Sequence, residues 1–367
     1  MCRAIFAYGP LVAWALLLIV VVHPLRLKAP GRIALSLVLL ALTQKFLIYQ
    51  ILGGDALVPD LPERFINVTG WLYSSCMILC ALACAWAVAR GAWWLCLHRA
   101  APRAVIPALA VVALFTAGWG VWEGVRVPDV RRIELPVKGL PAAFDGFRLV
   151  QISDIHCSSA ARRARTAGIV AAVNALDADL VCLTGDLVDG SPAKRADDLA
   201  PLADLRARYG VASCTGNHEK YSIYKAWRPV FDALHLGMLD NTARVIEKDG
   251  AALAIGGVLE WRSNVAQAFT NVPPAACRIL LKHRPFPPAT NAQDRVALQL
   301  SGHTHGGMMP VLDRIVARLG NGGFVRGLYR FGDFTLYVNP GTGQWAGFPL
   351  RLGVPAEMTL FTLRRVN

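Results

Sequence analysis

The chain is short of charge. Of its 367 residues only 17% are Asp, Glu, Lys or Arg, while 54% are hydrophobic. That is too apolar for an ordinary soluble domain, so the excess must be concentrated somewhere. The nine cysteines include no CxxC pair and no zinc-finger spacing, which removes a cysteine-built structural zinc and a dithiol redox motif. Cys76, Cys80 and Cys84 recur four residues apart with no polar partner nearby, and read as small packing residues on one helix face. Cys182 and Cys214 end apolar strand-like runs, and Cys157, directly after His156, is not read as a ligand. The net charge is +13, yet no Lys/Arg run interleaved with aromatics occurs. The charge therefore points to loops beside a membrane and away from nucleic acid. Internal repeats and low-complexity segments are also missing.

The apolar excess lies at the N-terminus. Residues 1–127 hold 10 Lys/Arg and 4 Asp/Glu, against 28 and 21 in residues 128–367. Four stretches, 4–22, 33–52, 66–89 and 104–122, approach the roughly 20 residues that cross a bilayer as helix. They predict a four-helix transmembrane anchor over 1–127. The first runs on to Val22 without a small-residue cleavage site, so it reads as a retained helix and not as a signal peptide. The second carries Lys45, which either snorkels, faces a neighbouring helix, or is functional. Arg26, Lys28 and Arg32 in the first connection, and Arg90, Arg99 and Arg103 in the third, mark those connections as cytoplasmic. Asp55, Asp60 and Glu63 outweigh Arg64 in the second. Four crossings then put the large C-terminal domain outside the cytoplasmic membrane, although Arg3 and the basic residues after Trp122 run the other way. Residues 128–146 contain Pro128, Pro136, Gly139 and Pro141, and predict a linker or an edge strand.

From Phe147 onward the pattern is α/β. Short apolar runs at 148–153, 179–184 and 210–215 read as strands, separated by helical periodicity at 162–176 and 192–208. A hairpin follows at 244–248 and 251–258 around Asp249-Gly250. Further strands are predicted at 278–282, 297–301, 334–338 and 357–363. The expected architecture for 147–367 is two sheets with helices on their outer faces.

Polar residues cluster where these strands end. Asp154 and His156 follow the first strand, Asp186 the second, and Asn217, His218 and Glu219 the third. His283 follows 278–282, and His303 and His305 follow 297–301. The carboxyl ends of strands are where α/β sheets build ligand sites. Six of the eight histidines lie in the C-terminal part, and only His235 of the six falls outside these groups. Imidazole and carboxylate donors without cysteine suit catalytic Mn²⁺, Zn²⁺ or Fe²⁺. Two such ions about 3.5–4 Å apart need a bridging carboxylate. They acidify water enough to supply hydroxide at neutral pH.

The order D-x-H, G-D, G-N-H-E, a lone His and G-H-T-H resembles the calcineurin-like metallophosphoesterase family over 131–363, and most closely its bacterial membrane-anchored branch. The resemblance implies an α/β/β/α fold and a role for each residue. Asp154, His156 and His305 would hold one ion, and Asn217, His283 and His303 the other, with Asp186 bridging. His218 would protonate the leaving oxygen, Glu219 would orient His218, and Asn217 would also touch the phosphate. Many members have Asp where this chain has Glu219; the carboxylate is kept.

The function expected is hydrolysis of a phosphomonoester, phosphodiester or pyrophosphate, possibly lipid-linked, by a multi-pass enzyme of the inner membrane whose partners are the bilayer and its substrate. The alternative is a non-catalytic membrane scaffold or receptor. The glycine-rich stretch 306–329, with Met308, Met309, Leu312, Phe324 and Leu328, reads either as a membrane-facing lip or as an ordinary loop.

Overall fold

The structure is a computed structural model and describes residues 2–98, 105–290, 294–309, 313, 315, 318 and 320–366. Arg99, Arg103 and Leu312, used in the expectations above, lie outside these residues. The chain divides into two compact units, Met1–Trp122 with Ala346–Leu350, and Glu123–Trp345 with Arg351–Asn367.

The first unit is helical. Helix α1 (Cys2–Leu17) runs into one π-helical turn, Leu18–Val22. Helices α2 (Ala29–Thr43) and α3 (Lys45–Gly53) meet at Gln44 with a bend of 63°. Helices α4 (Glu63–Leu97) and α5 (Val105–Val125) complete the unit. By length and composition two helices, α4 and α5, can cross a bilayer, and the bent pair brings the number to three. The segment 8–22 is a shorter apolar helix. The expectation of four uninterrupted spans is therefore revised. The second stretch breaks where polar Gln44 and Lys45 interrupt its apolar pattern, and the third extends past 66–89 at both ends. Glu63 in the first turn of α4 complements the helix dipole there. Leu17, Val21, Leu39, Cys76, Leu79, Cys80 and Ala113 form the unit's core. Cys76 and Cys80 thus pack among aliphatic side chains.

The second unit contains eleven strands among the described residues. In chain order they are β1 (Asp129–Lys138), β2 (Arg148–Ile152), β3 (Leu180–Thr184), β4 (Val211–Cys214), β5 (Thr242–Lys248), β6 (Ala251–Gly257), β7 (Cys277–Leu281), β8 (Val296–Ser301), β9 (Gly327–Phe331), β10 (Phe334–Val338) and β11 (Glu357–Val366). One sheet has the order β1-β11-β2-β3-β4 and the other β5-β6-β7-β8-β10-β9. Strands β2, β3 and β4 are parallel, as are β6, β7, β8 and β10. Their carboxyl ends therefore share an edge in each sheet.

Two-residue alternation explains the layering. Leu149, Leu180 and Phe361 of the first sheet pack with Ile279, Leu281, Leu298 and Leu300 of the second, all buried in one core. The alternate residues Val150, Ile152, Val181 and Leu183 face outward against the helices Arg163–Asn174 and Tyr224–Ala233, through Ile169, Val173, Trp227 and Phe231. On the second sheet Leu280, Leu336 and Val338 pack with Ala268 and Phe269. The inner strands β2, β3, β7, β8 and β10 are buried on both faces and so read as nearly continuous apolar runs, whereas the edge strands β1, β5 and β9 are largely exposed or half-buried.

One open expectation is resolved, toward an edge strand, and two others are revised. The segment 129–138 is a ten-residue strand paired parallel with β11 across its length. The helix expected over 192–208 stops at Leu199 and continues as a 3-10 turn, Ala200–Asp204, because Pro201 offers no amide hydrogen for an α-helical bond. The end of the glycine-rich stretch is strand β9, antiparallel to β10.

Candidate metal centre

Every residue expected at the centre leaves the carboxyl end of a strand, and short backbone bonds lace these ends together. The Asp154 amide donates to the Gly185 carbonyl (2.9 Å), the His156 amide to Asp186 (3.0 Å), and the Gly302 amide to His283 (2.9 Å). Gly185, at φ +84°, lies so close to the Gly216 backbone that a Cβ would sit 2.5 Å from the Gly216 nitrogen. The glycines of the G-D and G-N-H motifs thus let two strand ends touch. Asp154, His156, Asp186, His303 and His305 all have positive φ, between 47° and 74°. That conformation is costly for residues with a side chain and concentrates at functional sites.

Three ligand-type clusters occur among the described residues: one joins His156 with Asp189 and His218, and the other two are made of the expected ligands. Asp154, His156 and His305 offer one set of donor atoms, and Asp186, His283 and His303 another, each set lying within 4.8 Å of itself. His156 Nε2 and His305 Nε2 are 3.1 Å apart, and His283 Nε2 and His303 Nδ1 are 3.3 Å apart. Two nitrogens held by one ion at about 2.1 Å lie roughly 3.0–3.4 Å from each other, so each pair fits a shared ion. Asp186 Oδ2 stands between the sets, 3.1 Å from His283 Nε2 and 3.8 Å from His156 Nε2. Asn217 Oδ1 is buried with no hydrogen-bond partner, and a buried acceptor left unpaired calls for an explanation that a cation supplies. The residues present therefore fit two divalent ions.

Outer partners fix the rings. His283 Nδ1 donates to the Thr184 carbonyl at 2.8 Å, and His156 Nδ1 lies 3.1 Å from Asp189 Oδ2. Each arrangement turns Nε2 toward the ligand cluster, as partners of metal-binding histidines do. Asp154 is held by Ser153 Oγ at 2.5 Å and by the His303 amide at 3.1 Å. Burial lowers the basicity of His303 and His305 well below that of free imidazole, which keeps them in the neutral form that binds metal.

His218 adjoins the ligand residues: its ring stands edge-on to that of His156, centroids 4.6 Å apart, and its donor atom groups with those of His156 and Asp189. Its amide donates to Asp186 Oδ1 (2.8 Å), its Nδ1 meets Asp189 Oδ1 (2.5 Å), and its side chain is 17% exposed. Burial opposes its protonation, yet the Asp186 and Asp189 carboxylates outweigh burial and raise its pKa to about 9. Burial likewise opposes ionisation of Asp189, but the His156 and His218 imidazoles hold its carboxyl below the usual range. Glu219 is fully buried and accepts the amides of Asp186 (2.9 Å), Leu187 (2.6 Å) and Gly216 (2.6 Å). It therefore shapes the backbone of two motifs, and the carboxylate on the His218 ring is that of Asp189. This corrects the role expected for Glu219.

Asp189 escaped the sequence reading, although its place three residues after Asp186 at the same strand end was a usable signal. Because its two oxygens serve two rings, Asp189→Asn is expected to cost about 10–100-fold in activity or metal affinity, the usual scale for such partners. Steady-state rates and metal content of the purified variant check this.

Known proteins give a consistent picture. Residues 147–307 match the family model for calcineurin-like phosphoesterase. A zebrafish (Danio rerio) transmembrane protein with metallophosphoesterase domain is 33% identical, over 72% of this chain and 63% of its own length. Its bovine (Bos taurus) counterpart is 33% identical over 73% and 64%. This chain thus spans a little under two thirds of each. A UDP-2,3-diacylglucosamine pyrophosphatase of Chlamydia trachomatis is 25% identical over 65% of this chain and 91% of its own. The stretch from Phe147 to Gly307, which carries the two ligand clusters, belongs to the calcineurin-like phosphoesterase family.

Proposed function

We propose that the protein is a membrane-anchored, dinuclear-metal phosphoesterase. The observation that carries this reading is the pair of ligand sets meeting at one carboxylate, Asp186, beside a buried and unpaired Asn217 oxygen. Asp154, His156 and His305 would hold one ion, Asn217, His283 and His303 the other, and Asp186 would be shared between them. Mn²⁺, Zn²⁺ and Fe²⁺ suit these donors. When bound, the ions supply Lewis acidity at phosphorus and lower the pKa of water.

The chain's own residues do the rest. His218 is kept as the imidazolium by the Asp186 and Asp189 carboxylates; it donates Nδ1–H to Asp189 and delivers its second proton, at Nε2, to the leaving oxygen. Asn217 positions the phosphoryl group with its amide. Glu219 keeps the Asp186 and Gly216 backbones in register, so that the bridging carboxylate stays between the two sets.

This reading takes the shorter apolar helix 8–22 as a fourth crossing beside α4, α5 and the bent α2–α3 pair, which puts the metal centre on the outer side of the cytoplasmic membrane. A substrate that is itself held in the bilayer follows from this anchoring. The pyrophosphatase relative, whose named substrate carries acyl chains, supports a lipid-linked pyrophosphate. The test is a phosphoester panel on the full-length protein in nanodiscs, with Mn²⁺, Zn²⁺ and Fe²⁺ in turn. Glycolipid and lipid pyrophosphates should be turned over faster than soluble phosphoesters. Equal turnover of soluble and bilayer-embedded substrates would remove the lipid-linked part of the proposal.

A further inference from the structure

The loop after β10 supplies none of the expected ligands, yet it backs one ligand set. It runs Asn339-Pro340-Gly341-Thr342-Gly343 and, like both ligand sets, lies in the second unit. The Thr342 amide donates to the Ser153 carbonyl (2.7 Å) and the Gly343 amide to the Asp154 carbonyl (2.8 Å). Thr342 Oγ1 accepts the Ser153 amide (3.3 Å) and donates to the Glu357 carbonyl (2.8 Å). Gly343 is pressed so close that a Cβ on it would collide with the carbonyls of Asp154 and Ile155. The D-x-H turn therefore takes its shape from this loop on one side and from the backbone of Gly185 and Asp186 on the other.

Arg351, in the same unit, holds the loop in turn. It is fully buried, and its partners are backbone carbonyls: Nη2 donates to Pro340 (2.8 Å) and Gly343 (2.7 Å), and Nη1 to Val354 (3.5 Å). A buried charge answered by carbonyls alone is costly, so its place calls for a role. Burial lowers the basicity of Arg351, to about 10, against the pull of Asp154, and the group stays a cation at neutral pH.

Nη2 has two hydrogens, and the bonds to Pro340 and Gly343 use both. Its approach to His305 Nδ1, at 3.3 Å, therefore acts as a wall against the ring. One guanidinium nitrogen thus meets the loop that shapes Asp154 and the ring of His305, two of the three residues in one ligand set. The loop also leads to Trp345, whose ring lies 6.0 Å from that of His218.

We propose that Arg351 is a positioning residue for one ion of the pair: by tying the Pro340 and Gly343 carbonyls together behind Asp154 and His305, it keeps that ligand set arranged before metal arrives. The proposal rests on the dinuclear reading above. The second set has its own support, since His283 is held by the Thr184 carbonyl and the Gly216 amide, next to Asn217, by Glu219. Loss of Arg351 should therefore weaken one ion and spare the other.

The experiment titrates the metal-stripped, full-length protein in nanodiscs with Mn²⁺, for the wild type, Arg351→Met and Arg351→Lys. Bound metal, the electron paramagnetic signature of the coupled ion pair, and hydrogen exchange of the 339–345 amides are followed. In Arg351→Met one ion should bind about 10–100-fold more weakly, the scale of a lost outer partner, and the other with wild-type affinity. Exchange in the stripped protein should speed by about tenfold or more. At saturating Mn²⁺, kcat for bis-p-nitrophenyl phosphate should return close to the wild-type value. Arg351→Lys keeps the cation and can still reach one carbonyl, so it should lose less affinity, at the same ion. If Arg351→Met fails to fold, Arg351→Lys decides alone. Wild-type affinity for both ions would overturn the proposal, and so would equal weakening of both, the result of a general loosening of the fold. If the wild type binds two ions but hydrolyses no phosphoester, the functional reading falls, and the metal and exchange measurements still decide on Arg351. A wild type that binds a single ion would overturn both.

Discussion

Asp186→Asn is expected to abolish metal-dependent turnover while leaving the fold intact. The substitution keeps the shape of the side chain, and Oδ1 can still accept the His218 amide. What changes is the atom between the two ligand sets. Oδ2 faces His283 Nε2 and His156 Nε2, and an amide nitrogen there brings two hydrogens where two cations must be shared. One negative charge also leaves a buried cluster whose only other ligand carboxylate is Asp154. The effect should exceed the 10–100-fold seen when an outer partner is removed. Metal analysis should find less than the full complement, and thermal unfolding without added metal should match the parent. A variant that keeps both ions and its rate would show that Asp186 does not bridge.

His218→Ala should behave differently. The ligand atoms remain, so metal content should stay at the wild-type level. The rate should fall by about 10²–10⁴-fold, the usual contribution of a general acid. The loss should be greatest for substrates whose leaving group is a poor one, an alkyl alcohol, and smallest for p-nitrophenol, which departs with little need of a proton. If His218→Ala lost metal in proportion to activity, the ring would have to be counted among the ligands. The cluster it makes with His156 and Asp189 is close enough to make that outcome worth measuring.

The contrast between these variants reflects which features the sequence made legible. Asp154, His156, Asp186, Asn217, His283, His303 and His305 could be read because each follows an apolar run, and all but His283, which lies between Lys282 and Arg284, have a glycine or a second ligand-type residue within two positions. Five parallel or near-parallel strands delivering such residues to one edge leave few alternatives. Asp189 was not read because it sits past the turn, where an aspartate is ordinary; its place three residues after Asp186 was a weak signal, and its distances to two imidazoles reveal its work. Glu219 was seen but given the wrong partner, since a carboxylate next to a histidine in sequence points away from it when both begin a short helix. Trp345 and Arg351 carry no signal at all: they lie far along the chain from every ligand and reach the centre through a loop.

The membrane unit shows the same limit. Hydropathy located its segments, but not the break at Gln44, because a single polar pair in an apolar run reads equally as a tolerated defect. Strand β1 was open between spacer and edge strand, as its prolines suit both; its ten-residue pairing with β11 is a contact between residues more than two hundred positions apart. Local pattern therefore located the chemistry well and the supports of that chemistry poorly.

The most direct test of the central claim is titration of the metal-stripped, full-length protein with Mn²⁺ or Zn²⁺ while phosphoester hydrolysis and bound metal are followed together. The account predicts no turnover in stripped protein, and activity that climbs to a plateau as two ions per chain are bound. A plateau at one ion, or hydrolysis that is indifferent to metal, would contradict it.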